Sequence, residues 1–235
     1  MSSLTYNGRN LSDFGVMLSG EGTYNAPSRA VTEQAVPGRN GTLLIDGGRF
    51  DNIEVTYPCF IPENFNVNMS SLRDLLMSIQ GYARLSDSYH TDEFRLAAVS
   101  GGIGVETSGR YNTQGQFDLT FNCKPQRFIT SGETAQSFDE DGSITNPTSF
   151  EAKPLIRIIG TGTVGVGAVN ITFDGSTPYV DLDCDIQDCY YGATNKNSSV
   201  TFTPNRFPTL GAGATGITVG SGITEVDITP RWYRI

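Results

Sequence analysis

The stretch that decides the fold runs from Val36 to Ile61 and reads VPGRNGTLLIDGGRFDNIEVTYPCFI. Pro37-Gly38 and Asn40-Gly41 are typical turn dipeptides, because proline presets φ and glycine accepts positive φ. Gly47-Gly48 marks a second place where a bend is expected. We therefore predict chain reversals at both places and interpret the stretch as one hairpin.

From Asn52 onward, apolar and polar side chains alternate, as in a strand with one buried face and one wet face. The predicted buried residues are Ile53, Val55, Tyr57 and Cys59, and the predicted exposed residues are Asn52, Glu54, Thr56 and Pro58. Because proline cannot donate a hydrogen bond to a neighbouring strand, Pro58 predicts an edge position or a strand end.

Arg39 lies between the two turn dipeptides, at the tip of the predicted hairpin. A short arm would hold its guanidinium away from the core, where it could meet a carboxylate on another surface. The alternative is an ordinary solvated arginine, since most loop charges have no specific partner. Both interpretations stay open at the level of sequence.

The composition limits the classes of function. A chain of 235 residues suits one or two domains, and we prefer two. The formal net charge is −9, with 16 basic and 25 acidic residues and no run of lysine or arginine. Nucleic acid and anionic membranes require a positive surface, so both are disfavoured as partners. The 27 glycines and 11 prolines indicate an all-β chain, and a single histidine disfavours an enzyme.

The four cysteines, Cys59, Cys123, Cys184 and Cys189, form no CxxC or Cys/His set, so no zinc site is predicted. The first residues, MSSLTYNGRN, lack the features of a secretory signal. No apolar run approaches the roughly 20 residues of a membrane helix. We therefore expect a protein that folds in a cytoplasm, with reduced thiols and no cofactor or metal.

The hydrophobic period changes from two to 3.6 after residue 68, which predicts one helix over residues 70–80. Ser70 or Ser71 can cap its start, and Gly81 can end it in the left-handed conformation. One apolar face is expected to pack on the sheet. This face consists of Leu72, Leu75, Leu76 and Ile79.

Met77 and His90 each allow a functional interpretation. A methionine beside leucines usually fills a gap in the core, so we expect Met77 there rather than in a partner-binding stripe. His90 lies in a polar turn with Asp87 and Ser88. Members of a catalytic triad usually converge from separate elements, so we expect an exposed or capping histidine.

The segment GQFDLTFNCKPQRF, from Gly115 to Phe128, predicts a second alternating strand that ends at Lys124-Pro125. The predicted inward residues are Phe117, Leu119, Phe121 and Cys123, and the outward residues are Gln116, Asp118, Thr120 and Asn122. Ser, Thr, Asp, Glu and Gly then dominate, as in a linker or a linker with an edge strand. We predict domains over residues 1–131 and 150–235, with a linker over 132–149.

Short strands at intervals of about 8 to 12 residues then predict a β-sandwich without a helix. The glycines from Gly160 to Gly167 are not followed by Gly-Lys-Ser/Thr, so they indicate a hairpin rather than a phosphate loop. Asp181, Asp183 and Asp185 share one face of a predicted strand. We expect a solvated acidic face, with a calcium site as the alternative.

Together these features resemble the distal tail protein family of long, non-contractile-tailed bacteriophages. The resemblance spans nearly the whole chain and rests on the order of five segments, which read VPGRNGTLL, NIEVTYPCFI, GYARLSDSYHTDEFRLAAV, GQFDLTFNCKPQRF and RFPTLGAGATGITVGSGITEVDITPRWYRI. It implies an all-β protein with one short helix. The N-terminal domain would be a split-barrel-like β-sandwich with a projecting hairpin, and the C-terminal domain a galectin-like β-sandwich.

The resemblance also implies a homo-hexamer ring at the distal end of the phage tail, assembled in the host cytoplasm. This ring would join the tail tube protein to the tail-associated hub protein and can hold a receptor-binding protein, while DNA passes through it without specific binding. A ring of identical chains needs two different surfaces on each subunit. The residues carried over as subunit-interface candidates are Gly38, Arg39, Asn40 and Gly41.

Two other functional classes remain as alternatives. The first is a lectin-like carbohydrate-binding adhesin, but the sequence shows no cluster of aromatic, arginine and asparagine residues, and Trp232 is expected in the sandwich core rather than as a sugar platform. The second is a hydrolase, which one histidine and no clustered acids disfavour.

Overall fold

The computed structural model describes residues 3–20, 25–108 and 113–235. The chain divides into two compact units, Met1–Arg127 with Ile235, and Phe128–Arg234. Each unit has its own hydrophobic core. The predicted fold class, an all-β chain of β-sandwich domains with one short helix, is confirmed.

The strands of the first unit form one antiparallel sheet and one separate ribbon. Their bounds are β1 Leu4–Tyr6, β2 Arg9–Asn10, β3 Met17–Leu18, β4 Arg29–Ala35, β5 Thr42–Phe50, β6 Ile53–Ile61, β7 Ala83–Asp87, β8 Glu93–Val99, β9 Val105–Ser108 and β10 Gln114–Ile129. The sheet has the order β2-β1-β7-β8-β10-β6-β3, and β9 pairs with β10. The ribbon consists of β4 and β5.

The predicted hairpin over residues 36–61 is wrong in its strand partners. β5 pairs with the preceding strand β4, whereas β6 pairs with β10 over its whole length, from Ile53 opposite Cys123 to Ile61 opposite Gly115. The chain does reverse at residues 36–41, but β5 continues without reversal through Gly47-Gly48. Alternation identifies the buried face of a strand but leaves its partner undetermined.

The faces of β6 and β10 are as predicted. Val55, Tyr57 and Cys59 are buried on β6, and Phe117, Leu119, Phe121 and Cys123 are buried on β10. The predicted end of β10 at Lys124-Pro125 is wrong, because the strand continues to Ile129. Beyond Pro125, buried and exposed side chains no longer alternate, but the residues up to Ile129 still belong to the strand.

Pro58 lies beside the edge of the sheet. Its carbonyl accepts the backbone N–H of Ser19 at 2.8 Å, on the side away from β10. In an antiparallel strand, the amide nitrogen and carbonyl oxygen of a residue point to the same side. The missing N–H therefore faces the two-residue edge strand β3 and not the long ladder with β10.

Among the residues that the structure describes, the one α-helix, α1, runs Phe65–Ser78 rather than 70–80. It begins after Asn64, which has a φ of 52°, and the Ser70 hydroxyl donates to the Asn66 carbonyl within the helix instead of capping it. The helix ends at Ile79 in an extended conformation, before Gly81 is reached. Both predicted ends are therefore wrong, because the serines and the glycine on which they rest do not mark the ends of the helix.

The predicted apolar face of α1 does pack on the sheet. Leu72 and Leu76 are buried, and Leu75 and Ile79 pack against the same core. The expectation for Met77 is wrong, since its side chain is 58% exposed. A rotation of about 100° per residue turns it away from the face that Leu76 occupies.

The second unit consists of two antiparallel sheets packed face to face. Their strands are β11 Gln136–Phe138, β12 Gly142–Asn146, β13 Leu155–Gly160, β14 Gly162–Val166, β15 Val169–Phe173, β16 Tyr179–Asp183, β17 Asp188–Tyr191, β18 Thr194–Asn195, β19 Val200–Thr203, β20 Gly213–Val219 and β21 Ile223–Thr229. The short strand β22, Tyr233–Arg234, pairs with β10 and belongs to neither of these sheets. One sheet has the order β11-β21-β13-β16-β17-β18 and the other β12-β20-β14-β15-β19. Their inner faces share one core.

Residues 132–149 contain the edge strands β11 and β12, so the stretch predicted as a linker contributes to both sheets. The domain bounds drawn from the sequence stay a prediction. The glycine-rich stretch from Gly160 to Gly167 contains the predicted hairpin, with Val166 opposite Val169. Trp232 is 3% exposed within the core, which confirms its predicted location.

All four cysteines are buried and have free thiols. Burial raises the pKa of the Cys59, Cys184 and Cys189 thiols to about 12, and that of Cys123 to about 11. In the described ranges, no helix is long and apolar enough to cross a membrane. The same ranges contain no group of three or more His, Cys, Asp or Glu residues placed to hold a metal ion.

Candidate assembly surface

The two-stranded ribbon of β4 and β5, residues 29–50, is called the arm here. Among the described residues, its strands pair only with each other, and every residue from Val31 to Arg49 is exposed. An isolated two-stranded ribbon is at best marginally stable in water, because it cannot bury a face of its own. The arm therefore buries neither of its faces against the described residues of the first unit.

Apolar side chains lie on both faces of the arm. The register places Glu33 opposite Leu44 and Thr32 opposite Ile45, so Leu44 and Ile45 belong to opposite faces. Leu44 is 60% exposed, Ile45 47% and Leu43 44%. Contiguous exposed apolar residues of this kind mark interaction sites. A partner that covered one face alone would leave apolar side chains of the other face in water.

The tip of the arm is a type II turn. The Arg39 N–H donates to the Val36 carbonyl at 3.2 Å, with Pro37 and Gly38 between them. Gly38 has a φ of 77°, which the third position of this turn requires and which glycine adopts without strain. The Arg39 side chain is exposed beyond this turn.

The base of the arm is fixed by Asp46. Its carboxylate accepts the Gly48 N–H at 2.9 Å and binds the Arg29 guanidinium at 2.6 Å. These two contacts hold the pKa of Asp46 below its ordinary value, and the hydrogen bond from the Gly48 amide has the larger effect. Arg29 also lies 4.9 Å from the ring centre of Phe50.

Gly47-Gly48 forms a bulge where a chain reversal was predicted. The register shifts between Arg29 and Val31, and Gly48 adopts a φ of 69°. A Cβ atom on Gly47 would lie 2.8 Å from the Ala30 carbonyl oxygen. These glycines therefore allow a close approach of two strands, which the same dipeptide does as readily as it turns a chain.

The predicted interface residues, Gly38, Arg39, Asn40 and Gly41, all lie exposed in the turn at the tip. Their role in a subunit contact stays a prediction. The sequence interpretation missed the apolar residues along the strands. Their signal is the run Thr42-Leu43-Leu44-Ile45, in which consecutive apolar positions cannot all point to one side.

The expected solvated acidic face on β16 is wrong. Arg157 binds both carboxylate oxygens of Asp181, at 2.7 and 2.9 Å, and Arg231 binds both of Asp183, at 2.8 and 2.9 Å. Lys153 binds Asp185 at 3.1 Å. Asp181 and Asp183 are buried beneath these cations, because paired charges can be withdrawn from water.

Asp87 organises the turn that contains His90. One carboxylate oxygen accepts the N–H groups of Tyr89 and His90 and lies 3.2 Å from the His90 Nδ1 atom. The other accepts the Tyr57 hydroxyl at 2.7 Å, and the Ser88 hydroxyl oxygen accepts the Ser3 N–H. Burial first, and then the Asp87 charge, raise the pKa of Tyr57. This cluster stabilises a turn in which Asp87 is the capping group, and the half-buried His90 ring lies beside its carboxylate.

The fold matches a solved structure over its full length. It is similar to the crystal structure of SPP1 Dit (gp 19.1), described as a paradigm of the hub adsorption apparatus in phages that infect Gram-positive bacteria. The TM-score is 0.74 and the sequence identity 11%, and the match covers 100% of both chains. No protein-family model and no curated protein matches the sequence. The resemblance drawn from the sequence is thus confirmed in the fold.

Proposed function

We propose that this chain is a structural hub protein of a bacteriophage tail tip, and that six copies form a ring at the distal end of the tail. The observation that carries the proposal is the arm, which exposes apolar side chains on two faces and whose two strands pair with no other strand in the described part of the chain. The full-length similarity in fold to SPP1 Dit supports the hub role.

The arm suits the contact that closes such a ring. A cyclic assembly joins one surface of each subunit to a different surface of the next. The arm provides the first surface, with Arg39 at its tip able to meet a carboxylate of the neighbouring subunit. Burying its leucines and isoleucine would contribute about 1–1.5 kcal/mol for each side chain, since about half of each is already covered.

The proposed ring joins the tail tube protein to the tail-associated hub protein and anchors a receptor-binding protein. Its site is the distal end of the tail in the virion, after assembly in the host cytoplasm. The net charge of −9 favours the passage of DNA without adhesion, because phosphates bind to basic surfaces. The role is structural, and the Asp87 turn stabilises the fold rather than a reaction.

Light scattering behind a sizing column, followed by negative-stain imaging, tests the ring. We expect a mass of about six or twelve chains and annular particles, as closed cyclic assemblies have. The tube and hub proteins of the same phage are co-expressed in a second experiment, since a template can be needed. A chain that stays monomeric in both experiments contradicts the proposal.

Variants of the arm identify the contact. Leu44→Asp is expected to abolish assembly, because it places a charge within an apolar interface. Val67→Asp is the matched control, since Val67 is 70% exposed on α1 and lies outside the arm. Arg39→Ala is compared with Arg9→Ala in the same way. Assembly that tolerates Leu44→Asp as well as Val67→Asp assigns the contact to another surface.

A further inference from the structure

The second unit contains a groove that the ring does not require. It measures about 540 Å³ and lies beside β19, the last strand of its sheet. The lining residues are Gln187, Asn197, Val200, Phe202, Asn205, Arg206 and Phe207. Sites for small organic ligands typically have volumes of about 300–1,000 Å³, with apolar walls and a few convergent polar groups.

The floor of the groove is aromatic. The ring centres of Phe202 and Phe207 lie 4.4 Å apart at an interplanar angle of 40°. Both rings are half-buried against the core of the sandwich, which holds them in place. The face of an aromatic ring carries negative potential and attracts polarised C–H groups, such as those on the apolar face of a pyranose.

The polar groups of the groove are three amides, one of them that of Asn197, and a guanidinium. Gln187, Asn205 and Arg206 are exposed, and the structure gives their side chains no hydrogen-bond partner within its described ranges. Amides donate and accept, and a guanidinium donates through several N–H groups. This set matches the neighbouring hydroxyls of a sugar better than it matches an apolar ligand.

The walls of the groove are fixed before any ligand binds. The Asn197 side chain accepts the Cys189 N–H at 2.7 Å and donates to Asp188 at 2.8 Å. Asp183, held by Arg231, accepts the N–H of Asp185 at 3.0 Å and so fixes the turn that carries Gln187. Preorganised walls reduce the entropy that binding costs.

We propose that this groove binds a saccharide, with a pyranose on the Phe202 and Phe207 rings and its hydroxyls bonded to Gln187, Asn205 and Arg206. The ligand class is neutral or weakly anionic, since the chain has a net charge of −9 and the groove offers one arginine. The sequence interpretation names no such cluster, and residues 187 and 205–207 lie apart in the chain. It is independent of ring assembly.

Saturation-transfer NMR with the full chain tests the site, because this method observes the sugar at any size of the protein. The probes are glucose, galactose, N-acetylglucosamine, N-acetylgalactosamine and rhamnose, each titrated to high millimolar concentration. We expect saturable transfer to the ring protons of at least one sugar. Arg206→Ala and Asn205→Ala are expected to weaken binding, the first by about tenfold or more.

Both substituted side chains are exposed, so these variants keep the fold, and Trp232 fluorescence verifies this. Arg9→Ala is the matched control and leaves binding unchanged. The proposal is overturned if no sugar of the panel receives saturable transfer. It is also overturned if transfer persists in Arg206→Ala and Asn205→Ala, or if a peptide of a tail protein occupies the groove instead.

Discussion

The pair β6/β10 and the pair β4/β5 are both antiparallel and lie in the same unit, yet they differ in what surrounds them. In the first pair, apolar side chains occupy one face, and Val55 and Phe121 are 2% and 0% exposed. In the arm, apolar side chains occupy both faces, and Leu44 is 60% exposed. A strand pair that alternates can bury its apolar face within its own domain, whereas a pair with apolar side chains on both faces presents an apolar surface on each side.

The largest expected effect is a loss of stability in the pair β6/β10. Phe121→Ala should lower the free energy of unfolding of the first unit by about 3–5 kcal/mol, because it leaves a cavity beside Tyr6 and Tyr57. The ring centre of Phe121 lies 5.0 Å from that of Tyr6 and 6.1 Å from that of Tyr57. Denaturant titration with hydrogen exchange, which resolves the units, measures the loss. A change below 1 kcal/mol would contradict the assigned core.

A second prediction extends the comparison to ion pairs. Arg231→Ala should destabilise the second unit by about 3 kcal/mol, because it leaves the buried Asp183 carboxylate without its cation. The single tryptophan, Trp232, reports this transition by fluorescence. Arg29→Ala is the control in the arm, where the partners are 54% and 44% exposed, and should cost less than about 1 kcal/mol. Equal losses of stability in Arg231→Ala and Arg29→Ala would contradict the difference between the buried and the exposed ion pair.

A third prediction concerns acid. Burial alone would raise the pKa of Asp183, but Arg231 and the N–H groups of Asp185 and Ile186 outweigh it and hold the pKa below its ordinary value. The resulting stabilisation is complete above the unfolded pKa of about 3.9 and is lost as pH falls through the folded pKa. The denaturant concentration at the midpoint of the Trp232 transition should therefore decrease as the pH is lowered below about 4. Asp183→Asn should flatten this dependence, and an unchanged slope would contradict it.

The smallest effect is expected in the arm. Leu44→Ser should change the stability of the isolated chain by less than about 0.5 kcal/mol, as for other exposed positions. In the assembled form, the same substitution should lower the melting temperature, because the leucine is then buried. The two measurements are made on matched samples below and above the assembly concentration. A loss in the isolated chain would place Leu44 in a contact within its own subunit.

Much of the fold follows from alternation, because period two identifies which face of β6 and β10 is buried. The pairing partner of a strand does not follow from alternation, since the pattern alone would allow β5 to pair with β6 as readily as with β4. Gly47-Gly48 is ambiguous for a physical reason: positive φ and the absence of a Cβ atom serve both a turn and a bulge. The end of β10 was missed because a proline stops alternation without ending the strand.

The sites were harder to predict than the fold. The sequence suggests that Asp181 and Asp183 are solvated, since their partners Arg157 and Arg231 lie far from them along the chain. The groove is formed by the turn at residue 187 and the loop at residues 205–207, which only the packing of β16, β17 and β19 brings together. The turn at the tip of the arm could be predicted because its chemistry is local, while its role in a subunit contact stays a prediction.

The four buried thiols acquire a meaning from the proposed setting. A tail component is made in a reducing cytoplasm and then persists outside the cell, where thiols exposed to air oxidise or crosslink. Thiolate is the reactive species, and burial keeps Cys59, Cys123, Cys184 and Cys189 protonated, with pKa values of about 11 to 12. In the proposed setting, these thiols would therefore stay unmodified both before and after release from the cell.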